Sequence, residues 1–170
     1  IVASLSCSEE PETSIRPEAR DRLANQSAHT DHSGFFHEPF ADGPAVTRAC
    51  LECHEDSAQE VMQTAHWNWQ GEEVMLPGHE KHLRICKRNV INNFCNGVQS
   101  NSPACTMCHI GYGWEDEEFD FDDATRVDCL VCHDNSGTYQ KKFRAAGIPD
   151  ESVNLLESAR SVGMPRRRNC

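Results

Sequence analysis

A chain of 170 residues with a formal net charge of -11 has the length of one domain. The acidic balance excludes a nucleic-acid surface, and no apolar run reaches the length of a membrane span. Only 38% of the residues are hydrophobic and 7% aromatic, so side chains alone have limited means to build a large core.

The chain starts Ile1-Val2-Ala3-Ser4-Leu5-Ser6-Cys7. This reads either as the end of a signal peptide leading to a lipidated Cys7 or as an ordinary tail. Residues 8–28 are polar, with Pro11 and Pro17 breaking any long helix, and are expected to form an exposed arm. Residues 29–45 interleave His29, His32 and His37 with Phe35, Phe36 and Phe40, a composition suited to a loop over a flat apolar group. A helical run is expected over 46–66, with Ser57 and Glu60 as a capping box. It ends near His66, Trp67 and Trp69. Residues 70–104 read as irregular, punctuated by Pro77, Gly78, Gly97 and Pro103. Cys86 and Cys95 in that stretch read as a disulfide or as free thiols. Positions 115–123 are acidic except for Phe119 and Phe121; a solvated loop is the favoured reading, with calcium binding as the alternative. Residues 134–149 form a connector carrying Lys141 and Lys142. Asp150 is expected to cap a helix to about Val162 with Val153, Leu156 and Ala159 on one face. Gly163 and Pro165 stop it, and the chain ends Arg166-Arg167-Arg168-Asn169-Cys170.

Three pentads stand out within this order: Cys50-Leu51-Glu52-Cys53-His54, Cys105-Thr106-Met107-Cys108-His109 and Cys129-Leu130-Val131-Cys132-His133. Each is Cys-x-x-Cys-His, the attachment signature of c-type haem. Two thiols on one turn reach the same porphyrin edge, and the next residue turns its imidazole under the iron. Zinc also takes paired cysteines, but does not explain why histidine follows every pair. The expected cofactor is therefore haem c, three groups in all, with a fourth only if the chain continues past Cys170. Its attaching residues are Cys50, Cys53, Cys105, Cys108, Cys129 and Cys132, and its proximal ligands are His54, His109 and His133. Each iron also needs a distal ligand. His32 and His66 are the first candidates, and His29, His79, His82 or another chain compete for the third place.

Three porphyrins would supply the apolar bulk that the side chains lack. The expected fold is mainly α with much irregular loop and little or no sheet, a multihaem c-type cytochrome built around a closely packed haem chain. The haem-free chain is then expected to be largely unfolded. Residues 1–28 are the arm and 29–170 the haem domain. Covalent haem attachment implies export, to the periplasm or outside the cell, and other redox proteins or further copies of the chain as partners. Nucleic acid is not expected as a partner, and a membrane only through a lipid on Cys7.

Several blocks resemble the octahaem c-type cytochrome family typified by octahaem tetrathionate reductase. They are Asp31-His32-Ser33, Gly43-Pro44-Ala45-Val46-Thr47, His66-Trp67-Asn68-Trp69, Val90-Ile91-Asn92-Asn93-Phe94-Cys95, Cys105 to Trp114 and Asp128 to Tyr139. They run in the family's order over about residues 31–143. The resemblance implies an exported protein with mostly bis-His haems and one catalytic haem with a lysine ligand and a nearby cysteine. Cys95 matches that cysteine. Met164 stands where the family's lysine is placed, with Lys141 or Lys142 as substitutes. The family continues into a fourth motif where this chain reaches Cys170, as expected of a fragment or a shortened relative.

Two functions follow. Electron transfer through closely spaced haems needs no substrate chemistry and is the favoured one; a conduit or polymer is one form of it. The alternative is a multihaem reductase of sulfur or nitrogen oxyanions such as tetrathionate, nitrite or hydroxylamine. It would use Cys95, Lys141 and Lys142 at the haem, with Arg166 and Arg167 for the anion.

Overall fold

The computed structural model describes residues 29–89, 97–166 and 169. Asp42 opens the first helix, α1 (Gly43–Leu51): its carboxylate accepts from the Ala45 amide at 2.7 Å, and Pro44 sits in the first turn, where a missing N–H costs nothing. The helix buries Gly43, Val46 and Thr47. Two short helices follow, α2 (Ser57–Met62) and α3 (Ala65–Asn68), so the helix expected over 46–66 is three pieces. The Ser57–Glu60 capping box does not form. The Glu60 amide bonds to the Asp56 carbonyl at 3.0 Å, which makes Ser57 the first helical residue, and no side chain caps the helix.

The stretch expected to be irregular contains a small antiparallel pair, β1 (Glu73–Met75) and β2 (His82–Arg84), in the register Glu73↔Arg84, Val74↔Leu83 and Met75↔His82. Then come α4 (Ser102–Cys105), 3-10 turns over Thr106–Cys108 and Ala124–Arg126, α5 (Leu130–His133) and α6 (Leu155–Arg160). The helix expected from Asp150 starts later. Asp150 uses its carboxylate on the Ser152 amide and hydroxyl, at 3.0 and 2.6 Å, which closes a turn. Asn154 caps α6 instead, accepting from the Glu157 amide at 3.2 Å. Among the described residues, regular structure is thus short helix with a single two-stranded sheet, as the composition led us to expect. None of these helices is long and apolar enough to cross a membrane.

From Asp31 onward the described residues form one compact unit. It has two apolar clusters. The larger gathers Ala58, Trp67, Trp69, Val98, Trp114, Phe119 and Val127. The smaller packs Val46 of α1 against Leu130 of α5 and Ala159 of α6, with Phe36, Phe40 and Tyr139 at its edge. The segments after the second motif and before the third lie antiparallel. Tyr112 N–H bonds to Arg126 C=O at 2.8 Å, and Asp128 N–H to Ile110 C=O at 2.7 Å. Gly111 makes this approach feasible, since a Cβ there would lie 2.7 Å from the Trp67 ring and 2.8 Å from His109 Nδ1.

Candidate functional site

All three pentads sit on helical turns. In the first, His54 N–H reaches the Cys50 carbonyl at 2.9 Å as α1 ends. In the second, His109 N–H bonds to Thr106 C=O at 2.8 Å. Thr106 is fully buried, its hydroxyl lying 2.7 Å from the Ser102 carbonyl and 2.6 Å from that of Trp114. In the third, Cys129 begins α5 and His133 N–H reaches its carbonyl at 3.1 Å. One turn therefore presents two thiols and then an imidazole, which is the geometry the pentad requires.

The first and third pentads are side by side. Cys129 Sγ lies 4.0 Å from Thr47 Oγ1, one turn before Cys50 on α1. The contact with Cys129 lowers the Cys50 pKa, while the contact with Cys50, followed by burial, raises that of Cys129. The Thr47 hydroxyl donates to the Val127 carbonyl at 2.5 Å and ties α1 to the entry of the third motif.

The three histidines are in different surroundings. His133 Nδ1 is 2.9 Å from the Gly163 carbonyl, which makes it the donor and leaves Nε2 as the lone-pair nitrogen, the usual arrangement of a metal-bound imidazole. The His54 ring faces that of His32, with centroids 6.2 Å apart and planes 25° apart. In the first and third motifs the two cysteines and the histidine share one turn, a donor set that would suit haem. The second is different. His109 is fully buried, its Nε2 lies 2.7 Å from the Trp67 carbonyl, and its Nδ1 is buried with no partner. Trp67, Trp69, Trp114 and Phe119 surround the ring with centroids 4.8–5.7 Å away. Burial holds its pKa down at about 4 against a raising bond from Trp67, with Lys141, Arg88 and Lys87 adding to the lowering. It is a neutral imidazole at pH 7, but this orientation does not fit ligation through Nε2.

Of the other distal candidates, His29 is exposed, His66 is exposed on α3, His79 in the connector between the strands and His82 on β2. The described contacts bring only His32 to a motif histidine. Cys7, Cys95, Arg167 and Cys170 lie outside the described residues, and so does one half of the Cys86–Cys95 pair. Met164 is 48% exposed and Arg166 is exposed. In the acidic loop, Asp116, Asp120 and Asp123 each accept a backbone N–H two residues on, at 2.9 Å.

Asp128 was not singled out from the sequence, yet it is the most connected side chain of the site. Fully buried, it accepts from the Tyr112 hydroxyl at 2.9 Å, the Tyr139 hydroxyl at 2.7 Å and the Val131 amide at 3.0 Å. Lys141 Nζ pairs with it at 3.1 Å, the two side chains being 8% and 0% exposed. The same ammonium donates to the His109 carbonyl. Burial, then the Asp128 charge, raises the pKa of both tyrosines, so both remain hydroxyl donors. Lys142 is half-exposed and pairs with Glu151 at 2.6 Å.

No family model matches the sequence, and no curated protein matches it. Among solved structures, the chain is similar to the crystal structure of octaheme cytochrome c from Shewanella oneidensis, with 47% identity and a TM-score of 0.77. The alignment covers 83% of this chain and 32% of that one, so this chain spans about a third of the length of the protein it matches.

Proposed function

The chain resembles the octahaem c-type cytochromes in sequence and in fold, and on that footing we propose that it carries electrons through covalently bound haem c as an exported protein. The observation that carries this reading is the tie between the first and third motifs: Cys129 Sγ lies 4.0 Å from Thr47 Oγ1 on the helix that carries Cys50, and that hydroxyl donates to the Val127 carbonyl at 2.5 Å. Haems carried on these two neighbouring turns would exchange electrons directly. Each haem supplies a one-electron ferric/ferrous couple.

The chain's own residues do the rest. Cys50 and Cys53, and Cys129 and Cys132, anchor the ring edges. Gly163 orients His133 through Nδ1, and the His32 ring, stacked beside that of His54, is the proposed distal ligand. The second motif offers Cys105 and Cys108 as the third pair of attachment thiols, with His109 held by the Trp67 carbonyl through Nε2. Other cytochromes or redox proteins are the proposed partners.

The intact mass of the purified protein tests the cofactor. It is expected to exceed the polypeptide mass by three haems; the bare polypeptide mass would overturn the proposal. His32→Ala is expected to convert one haem from low to high spin in the reduced visible spectrum. A spectrum identical to that of the parent protein would remove His32 from the ligand set.

The reductase reading asks for a lysine that can reach an iron. Lys141 is engaged with Asp128 and the His109 carbonyl, and Lys142 faces solvent with Glu151. These contacts favour electron transfer. A reductase would bind nitrite or sulfite at a high-spin haem, so uniformly low-spin haems support the carrier.

A further inference from the structure

We propose that Asp128 and Lys141 form a buried, mutually neutralising charge pair that sets the reduction potential at the third motif. This rests on reading that motif as a haem site. Asp128 directly precedes Cys129, and its carboxylate holds the Val131 amide inside the pentad at 3.0 Å. The charge is thus built into the attachment turn. The Lys141 ammonium lies 3.1 Å from the carboxylate and also holds the backbone carbonyl of His109, so the pair spans the second and third motifs. Both side chains are buried, at 0% and 8% exposure, where water screens little. A bare carboxylate there stabilises the ferric state and lowers the potential; a bare ammonium does the opposite. With both present, the two contributions oppose each other.

Tyr112 and Tyr139 position the pair. Their hydroxyls occupy Oδ1 and Oδ2 of Asp128, so the carboxylate cannot turn away from Lys141 without leaving donors unpaired.

The test is a redox titration of the haem-loaded protein and its variants, followed by visible absorbance. Lys141→Met is expected to lower one potential and Asp128→Asn to raise it. Each shift should be of the order of tenfold in the ferric/ferrous ratio, about 59 mV for a one-electron couple. Lys141→Arg keeps the charge and should stay near the parent value, and the double variant should fall between the two singles. Shifts of the same sign in both singles would mean that repacking moves the potential, and would overturn the proposal; so would unchanged potentials. Should Asp128→Asn fail to accumulate, the Lys141 variants decide alone. A lower potential in Lys141→Met than in Lys141→Arg supports the proposal, and equal potentials overturn it. Peptide mass mapping separates this from its premise: unmodified Cys129 and Cys132 in the parent protein would end the haem reading itself.

Discussion

Replacing Trp67 by alanine is expected to cost about 3–5 kcal/mol of stability, the range for deleting a large buried aromatic. Its side chain is 1% exposed. Its indole N–H donates to the Phe121 carbonyl at 3.0 Å, which the change would leave without that partner. Its ring touches His109, Phe119 and Phe121 with centroids 5.0, 5.6 and 6.0 Å away, so the hole would open at the centre of the larger cluster. Chemical denaturation should show a much lower midpoint with a similar slope. Trp67→Phe keeps a ring in place and should lose less. Phe143→Ala, at a side chain 75% exposed, is the surface reference. If Trp67→Ala moves the midpoint no further than Phe143→Ala, the aromatic cluster is not the core described here.

The second large effect is at Asp128. Asp128→Ala is expected to cost about 3–5 kcal/mol, because it strands the Lys141 ammonium in a buried site. It also removes the acceptor from the Tyr112 and Tyr139 hydroxyls and from the Val131 amide. Glu151→Ala breaks the exposed pair with Lys142, 48% and 85% exposed, and should move the denaturation midpoint little. Adding Lys141→Met to Asp128→Ala removes the stranded charge and should recover part of the loss. Equal denaturation midpoints for Asp128→Ala and Glu151→Ala would contradict the buried-pair account.

Much of the attachment chemistry could be read from the sequence because it is local. The spacing of Cys129, Cys132 and His133 specifies a single turn, and the structure has that turn as α5. The low sheet content was readable for a related reason: breakers and short apolar runs leave room only for short elements. Where local signals competed, the reading failed. Ser57 reads as a cap, and a backbone bond from Glu60 to Asp56 instead made it the first residue of α2. Asp150 resembles a cap as well, but Ser152 two residues on offered its carboxylate a closer turn, and Asn154 capped α6.

The sequence by itself determined the three Cys-x-x-Cys-His turns, the histidine at the end of each and the family that the chain resembles. These are properties of neighbouring residues, and helical geometry brings neighbours together without help from the rest of the chain. Only the tertiary structure decided which turns meet. Thr47 of α1 meets Cys129 and Val127, and His32 lies beside His54. Lys141, a candidate iron ligand by resemblance, is bound to Asp128. Such contacts join residues far apart in the chain, and they follow from how α1, α5 and α6 pack. An isolated acidic residue before a cysteine looks like any surface carboxylate until burial and four donors give it a role.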